Sequence, residues 1–419
     1  MTTNPSHDAA AELEHVQITS SEDVRSYVAG ICFKTGPPMY VGSELEWLVI
    51  SPDAPHVPVP PTRIRAALDP IEPLPGGSRV SFEPGGQLEL SSPPASGSTA
   101  CWKATRADVD HLQRLLAAAD LDLVWSGIDP YRPATRQVAN SRYDTMQVYF
   151  DACPAVSGTS TARIAPDLPD QAGRLMMCST ASVQINLDAG ADATDIARRW
   201  RLLHAVGPPL VAAFANSPVY DRRTTGWKST RQAAWLGLDP CRTRQPQGED
   251  PLVAWADYAL DARVMACRRD PTWIADPGMT FRQWIDGAGH LGRPTYADLD
   301  YHLTTLFPPV RPRGWLEVRY VDAQPAAYWP VPLAVVAALV DADADRVLAT
   351  TEPVREMWWE AARYGLEDRE LAAAASACFE LALATMSRDG ADDDLRRLVE
   401  SYADRYVLRR RCPADDQEE

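Results

Sequence analysis

Glu44 and Glu46 stand two apart within Tyr-Val-Gly-Ser-Glu-Leu-Glu-Trp-Leu-Val-Ile (40–50), a run that is otherwise almost wholly apolar. Side chains two apart on a strand share a face, so both carboxylates point the same way. The same spacing recurs in Gln87 and Glu89, which follow Glu83 across Pro84-Gly85-Gly86, in Gln184 and Asn186, and in Glu317 and Arg319. Any one pair reads as a solvated face or as carboxylates paired with cations. Four in one chain argue for a single polar surface built from neighbouring strands. Carboxylates that close together cannot all stay ionised without compensation. Mg²⁺ supplies it, because it takes oxygen ligands in octahedral geometry and keeps phosphates and waters in its shell. A floor of glutamates holding roughly two or three Mg²⁺ ions is suited to phosphoryl transfer.

Phosphates also require basic groups. Neither Gly-x-x-x-x-Gly-Lys-Ser/Thr nor Gly-x-Gly-x-x-Gly occurs, which excludes the phosphate loops those patterns build. Lys228 and Arg231, in Gly226-Trp-Lys-Ser-Thr-Arg-Gln-Ala-Ala-Trp235, are candidates, as is Arg319 beside Glu317. An arginine forks onto a carboxylate or a phosphate. The plainer readings are a surface lysine for Lys228 and a structural ion pair with Glu317 for Arg319.

The elements that must hold these residues can be read from periodicity. Residues 40–51 read as a strand, 79–92 as a hairpin around Pro84-Gly85-Gly86, 121–127 as strand-like, and 178–189 and 314–322 as strands. Helices are expected over 20–35, with Ser20 and Ser21 as possible caps, over 103–120, and over 192–216 with an interruption at Pro208-Pro209. From Pro330 the chain turns Ala-, Leu- and Glu-rich, and helices are expected near 331–343, 353–364, 368–387 and 391–407. Strands dominate the first half and helices the last quarter without β-α-β alternation, which predicts an α+β fold with a mainly antiparallel sheet. A single domain over 13–412 is expected, its part from 331 onward helical, with polar tails at 1–12 and 413–419. Residues 152–172, rich in Pro, Ser, Thr, Gly and Asp, are expected as a long loop that could act as a lid excluding water.

At 419 residues, 45% of them apolar, the chain can bury a sizeable core. Its 57 acidic and 41 basic residues give a formal net charge of −16, which disfavours nucleic acid as a partner. No run of about 18 apolar residues suggests a membrane span, the polar N-terminus is unlike a signal peptide, and a cytoplasmic location is expected. The eight cysteines are scattered without Cys-x-x-Cys, so a zinc cluster is not expected and most should be reduced thiols.

Gly42-Ser-Glu-Leu-Glu46 and Phe82-Glu-Pro-Gly-Gly-Gln-Leu-Glu-Leu-Ser91 resemble signatures of the plant-like glutamate–cysteine ligases. Ser141-Arg-Tyr-Asp-Thr-Met146, Thr180-Ala-Ser-Val-Gln-Ile-Asn-Leu-Asp188, Phe214-Ala-Asn-Ser-Pro218, Asp257-Tyr-Ala-Leu-Asp261, Gly278-Met-Thr-Phe281, His302-Leu-Thr-Thr-Leu-Phe-Pro308 and Leu316-Glu-Val-Arg319 follow in family order, over about 40–340. The resemblance implies a catalytic domain like that of glutamine synthetase, a curved antiparallel sheet with helices outside. It implies that ATP, as Mg²⁺ complex and co-substrate, phosphorylates the γ-carboxylate of L-glutamate, and that the amine of L-cysteine then attacks to give γ-glutamylcysteine. It places metal ligands at Glu44, Glu46, Glu83, Glu89 and Glu317, with Gln184 as an extra polar contact and Arg319 towards the nucleotide, where Lys228 is also expected from its own setting. Arg231 and Arg319 become candidate catalytic groups, and Arg231, Arg142, Tyr143 and Trp235 candidate substrate contacts. A monomer or homodimer is expected.

There are departures. Ser179 stands where the plant enzymes have arginine, Ser-x-Arg-Ser-x-x-Trp becomes Ser229-Thr-Arg-Gln-Ala-Ala-Trp235, and Leu45-Glu46-Trp47 is less polar than the pattern. These changes and the Ala-, Arg- and Asp-rich composition resemble the actinobacterial branch, which supplies γ-glutamylcysteine to ergothioneine synthesis. Supply for glutathione, or a carboxylate–amine ligase with another amine acceptor, are the alternatives.

Overall fold

The computed structural model describes residues 15–68, 73–152, 168, 171–269, 272–274, 278–288 and 291–418. Strand β1 is Tyr40–Ile50, and its alternation is what the sequence dictates: Val41, Ser43, Leu45, Trp47 and Val49 are buried on one face, while Glu44 and Glu46 occupy the other. The hairpin follows as β2 (Arg79–Phe82) and β3 (Leu88–Ser91), then β4 (Ala95–Ser96), β5 (Asp122–Val124) and β6 (Ser182–Asp188). Two small ribbons come next, β7 (Val219–Tyr220) with β8 (Arg223–Thr224) and β9 (Cys267–Arg269) with β10 (Thr272–Ile274), and the main sheet is completed by β11 (Val310–Pro312) and β12 (Trp315–Asp322). Its order is β11-β12-β6-β1-β3-β2, with β4 and β5 also paired to β1. Every pairing is antiparallel.

Register decides which polar pairs meet. Glu44 lies opposite Gln184 and Gly42 opposite Asn186. Glu46 lies opposite Glu89, and Glu317 opposite Asn186. The four two-residue motifs therefore sit on adjacent strands of one surface, as their spacing predicts.

Helices cover the other face. Gly97–Ala118 packs on β1, and the Thr105 and Ser43 hydroxyls hydrogen-bond there at 3.2 Å. The helix expected over 20–35 is Ser21–Cys32, opened by a capping box between Ser20 and Asp23. The span read as one interrupted helix is two, Ala193–Ala205 and Gly207–Ala213, and Pro208 and Pro209 open the second, where a missing N–H costs nothing. All eleven residues of Pro330–Val340 are buried. Arg369–Arg388 is long and apolar enough to reach across a bilayer, yet its apolar side, including Leu371, Phe379, Leu381 and Met386, is buried in the core. One apolar core runs from Ile18 to Val407.

The structure corrects two expectations and leaves one untouched. Residues 413–418, read as part of a polar tail, form the helix Pro413–Glu418, with Ala414 buried against Ala215. Residues 344–351, left outside any expected helix, form one, Ala344–Thr351. Most of the 152–172 loop, residues 153–167 and 169–170, and the N-terminal tail lie outside the described residues. The seven cysteines among the described residues are free thiols.

Candidate active site

The hairpin turn is the first device that builds the site. Gly86 N–H donates to the Glu83 carbonyl at 2.8 Å, and Gln87 closes the turn by accepting from Gly85 N–H at 2.8 Å. Gly86 has φ +84°, a conformation that favours glycine. Gly85 is glycine for another reason: a Cβ there would lie 2.1 Å from the Cys178 carbonyl oxygen. The close approach at this turn is thus to the chain's own backbone. The Gln87 amide completes the seam by donating to the Met177 and Thr180 carbonyls at 3.3 and 3.0 Å. This fixes Glu83 at one end of the turn and Glu89 at the other.

A cleft of about 380 Å³ opens over the sheet, lined by Glu44, Glu46, Glu83, Glu89, Gln184, Arg231, Arg319, Arg142, Tyr143 and Trp235 among others. Ten of the twelve candidate metal, nucleotide, catalytic and substrate residues therefore meet in one place. The exceptions are Glu317 and Lys228. Glu317 is completely buried below the cleft, bonded by Arg311 (2.6 Å), Arg319 (2.8 Å) and Arg313 (3.1 Å). Burial opposes its ionisation, but Arg311, Arg319 and Arg313 outweigh burial and hold its carboxyl well below the usual range. As it stands, Glu317 anchors guanidinium groups, and its expected place among metal ligands is not what this arrangement displays. Lys228 does not reach the cleft. Its ammonium pairs with Asp415 (2.7 Å) and Glu367 (2.9 Å), because the helix Pro413–Glu418 packs over it. Lys228, expected to hold the nucleotide, thus stands outside the cleft lining with its ammonium already paired.

The remaining four glutamates are short of compensation. Burial, with Glu317 and Glu89 nearby, pushes Glu44 up to about 7, although Asn186 donates to it at 3.1 Å. Burial and Glu89 raise Glu46 against the pull of Arg231, Ser182 and Arg319. Burial, Glu46 and Glu89 raise Glu83 well above the usual range, and Glu83 shares a side-chain hydrogen bond with Glu89. Glu89 in turn accepts from Ser81 and Ser91 at 2.9 and 2.8 Å. An all-oxygen donor set with such unfavourable charge crowding fits a hard divalent cation. Among the described residues no three His, Cys, Asp or Glu side chains stand close enough to share one ion as they are placed, so holding it requires side-chain rotation within the cleft.

A relay joins acid to base across the floor. Arg319 donates to the Gln184 side-chain oxygen at 2.7 Å, and the Gln184 amide donates to Glu46 at 2.8 Å. Ser182 also donates to Glu46, at 2.9 Å. Arg231 is 2% exposed, donates to the Arg319 carbonyl at 2.7 Å and lies over the Trp235 ring at 4.6 Å. Its Nε and Nη1, and Arg319 Nε, have no hydrogen-bond partner among the described residues, although Nη1 lies 3.9 Å from the Asp322 carboxylate. Buried donors without acceptors are costly, and here they mark a place for an anion. Arg142 bonds Thr304 through both terminal nitrogens, at 2.8 and 3.0 Å. Tyr143 is pushed up to about 12 by burial and by Glu83, so it is a neutral phenol at the rim.

Sequence reasoning missed four participants. Arg311 and Arg313 lie two apart just before β12, in Val-Arg-Pro-Arg, a spacing that could have announced them. Ser182 lies two before Gln184 on the same strand face. Asp322 gave no local signal: a shift in register between Val318 and Val321 turns it, and its carboxylate accepts from Asn216 N–H (2.9 Å), Ser217 (2.7 Å) and Ser229 (2.9 Å).

Known proteins resemble this chain throughout. The model of glutamate–cysteine ligase family 2 matches residues 40–417. The glutamate–cysteine ligase EgtA of Mycolicibacterium smegmatis is 41% identical over 408 residues, covering 96% of this chain and 92% of that protein. That of Mycobacterium tuberculosis H37Rv is 41% identical over 426 residues, covering 97% and 93%. The chloroplastic glutamate–cysteine ligase of Arabidopsis thaliana is 35% identical over 270 residues, 60% of this chain and 46% of its own. In fold, the chain is similar to the crystal structure of glutamate–cysteine ligase from Francisella tularensis in complex with AMP, with a TM-score of 0.53, 13% identity, and coverage of 91% and 84%.

Proposed function

The chain belongs to glutamate–cysteine ligase family 2, and from that premise we propose the reaction its cleft performs: ATP-dependent joining of the L-glutamate γ-carboxylate to the amine of L-cysteine, giving γ-glutamylcysteine, ADP and phosphate. The observation that carries this reading is the opposition, across one cleft, of four crowded glutamates and two arginines that each keep at least one donor nitrogen without an acceptor among the described residues.

Glu44, Glu46, Glu83 and Glu89 would hold Mg²⁺, which when bound neutralises phosphate charge and orients the γ-phosphoryl group. Arg231 and Arg319 face the same space and stabilise negative charge as it develops on the transferred group. The Gln184 relay keeps Arg319 and Glu46 at fixed separation. Burial of the cleft floor limits water, which would otherwise hydrolyse the γ-glutamyl phosphate. Arg142, Tyr143 and Trp235 line the cleft, and in this reading they grip an amino-acid substrate. The reading places all this on one catalytic domain in the cytoplasm. Because the 41% identical relatives are named EgtA, γ-glutamylcysteine for ergothioneine synthesis is the proposed destination.

The test is ADP release at fixed glutamate with the amine varied, together with mass detection of product. Cysteine should stimulate release above other amino acids and yield γ-glutamylcysteine. Stimulation by a different amine would identify another acceptor instead. Disrupting the gene should deplete ergothioneine; depletion of glutathione alone would overturn that destination.

A further inference from the structure

Arg231 is almost wholly buried, so its aim into the cleft is set by the backbone that carries it. That backbone, Lys228 to Arg231, is fastened on its inner side to Asp322 and Ser217. Ser229 donates to Asp322 at 2.9 Å, Thr230 N–H donates to the Ser217 carbonyl at 3.1 Å, and Arg231 N–H donates to the Ser217 hydroxyl at 3.2 Å. Ser217 N–H donates in turn to the Lys228 carbonyl at 3.0 Å, so residues 215–217 and 228–231 form one unit.

The outer side of that unit is covered by the helix Pro413–Glu418. Asp415 accepts from the Lys228 ammonium at 2.7 Å and is itself held by Cys412 N–H, also at 2.7 Å. Ala414 N–H donates to the Ala215 carbonyl at 3.0 Å, and the Gln417 amide donates to the Asn216 side-chain oxygen at 2.5 Å. Asn216 N–H reaches Asp322 at 2.9 Å, closing the circuit. Neither Asp415 nor Lys228, Ala414 or Asn216 lines the cleft. A surface helix docked for stability alone would have no reason to concentrate three ties on the seven residues that aim one guanidinium.

We propose that the helix Pro413–Glu418 is a latch that positions Arg231, with Asp415 acting through Lys228 and Gln417 through Asn216 as positioning residues. The proposal rests on the ligase reading of the cleft. A carboxylate that only pairs with a lysine stabilises the fold; a latch also sets the register of the Arg231 guanidinium, and misplacement by about 1 Å can cost up to a hundredfold in rate.

The experiment is a double-mutant cycle of Asp415→Asn with Arg231→Lys, read in kcat/KM. Asp415→Asn should lower kcat/KM about tenfold in the wild-type background, and less than twofold once Arg231 is lysine, because coupled residues are not additive. Equal losses in both backgrounds, or no loss from Asp415→Asn, would overturn the latch. If Asp415→Asn lowers Tm so far that the protein does not fold, Gln417→Ala, which removes one partly exposed tie, is put through the same cycle, where equal losses or no loss again overturn the latch. Calorimetric ADP binding runs the cycle a second time, and there the effect on affinity should likewise vanish in the Arg231→Lys background. A wild-type protein that binds ADP and shows this coupling but forms no γ-glutamylcysteine would overturn the ligase reading while leaving the latch standing.

Discussion

Glu46 and Glu89 are directly opposed in the ladder between β1 and β3. Like charges at such a position destabilise a sheet, and these two also line one cleft with Glu83 and Glu44. A chain shaped for stability alone would not keep them. Their retention is the clearest physical sign that something cationic belongs between them, and it makes stability and activity pull in opposite directions at this site.

Glu46→Gln separates the two. The rate of ADP release should fall by about a hundredfold or more, as for loss of a group stabilising transition-state charge. The metal-free protein should melt at the same temperature or higher, because a charge crowded by Glu83 and Glu89 is removed while Ser182 and Gln184 still find a partner. Full activity in this variant would sink the metal assignment.

Chelation should abolish ADP release and Mg²⁺ restore it. In a thermal melt without nucleotide, Mg²⁺ should raise Tm in a concentration-dependent way, since a ligand that binds only the folded state stabilises by mass action. The same shift should be absent in Glu46→Gln. An undiminished shift there would place the ion elsewhere.

Arg319→Lys tests the relay. Arg319 bonds Glu317 and Gln184 through Nη1 alone, which a lysine ammonium can imitate, but lysine lacks the other donors of the guanidinium, the unpartnered Nε among them. We expect kcat to drop by about a hundredfold with a much smaller change in Tm, because Arg311 and Arg313 still hold Glu317. Unchanged kcat in steady-state kinetics would remove Arg319 from the chemistry.

Gly85→Ala and Gly86→Ala should both destabilise, for different reasons. At Gly85 the new methyl meets Cys178 backbone at 2.1 Å, and at Gly86 it meets a φ of +84° and the Gln137 side chain. Gly85→Ala should cost about 3 kcal/mol or more in urea denaturation, because backbone has no rotamer to yield with. A loss under about 1 kcal/mol would show that this seam opens freely.

Acid should unfold the protein partly through two core histidines. Burial lowers His204 to about 4 and His302 to about 3, against about 6.5 for an unfolded chain. Both bind fewer protons folded than unfolded, so their contribution is complete above about pH 6.5 and is lost as pH falls towards about 4 and 3. That is worth a few kcal/mol each. His204→Asn should make the slope of stability against pH shallower by close to one proton between about pH 6.5 and 4. An unaltered slope would mean that His204 is not buried as a neutral ring.

The local sequence by itself determined a great deal, because strand alternation is a strict rule of two. It set the face of Glu44 and Glu46, of Gln184 and Asn186, and of Glu317 and Arg319, and the ordered motifs announced the family that the full-length matches show. What it left open was everything fixed by residues distant in the chain. Glu317 shares a strand with Arg319, yet three arginines, one on β11 and one in the turn into β12 beside Arg319 itself, take its carboxylate below the cleft floor. Lys228 is three residues from Arg231, yet the helix Pro413–Glu418 claims its ammonium from almost two hundred positions away. Asp322 becomes the hub for Asn216, Ser217 and Ser229 only because β12 slips register beside β6. Periodicity says which way a side chain points; only tertiary packing says what it meets there, and for a buried charge the partner it meets decides its role.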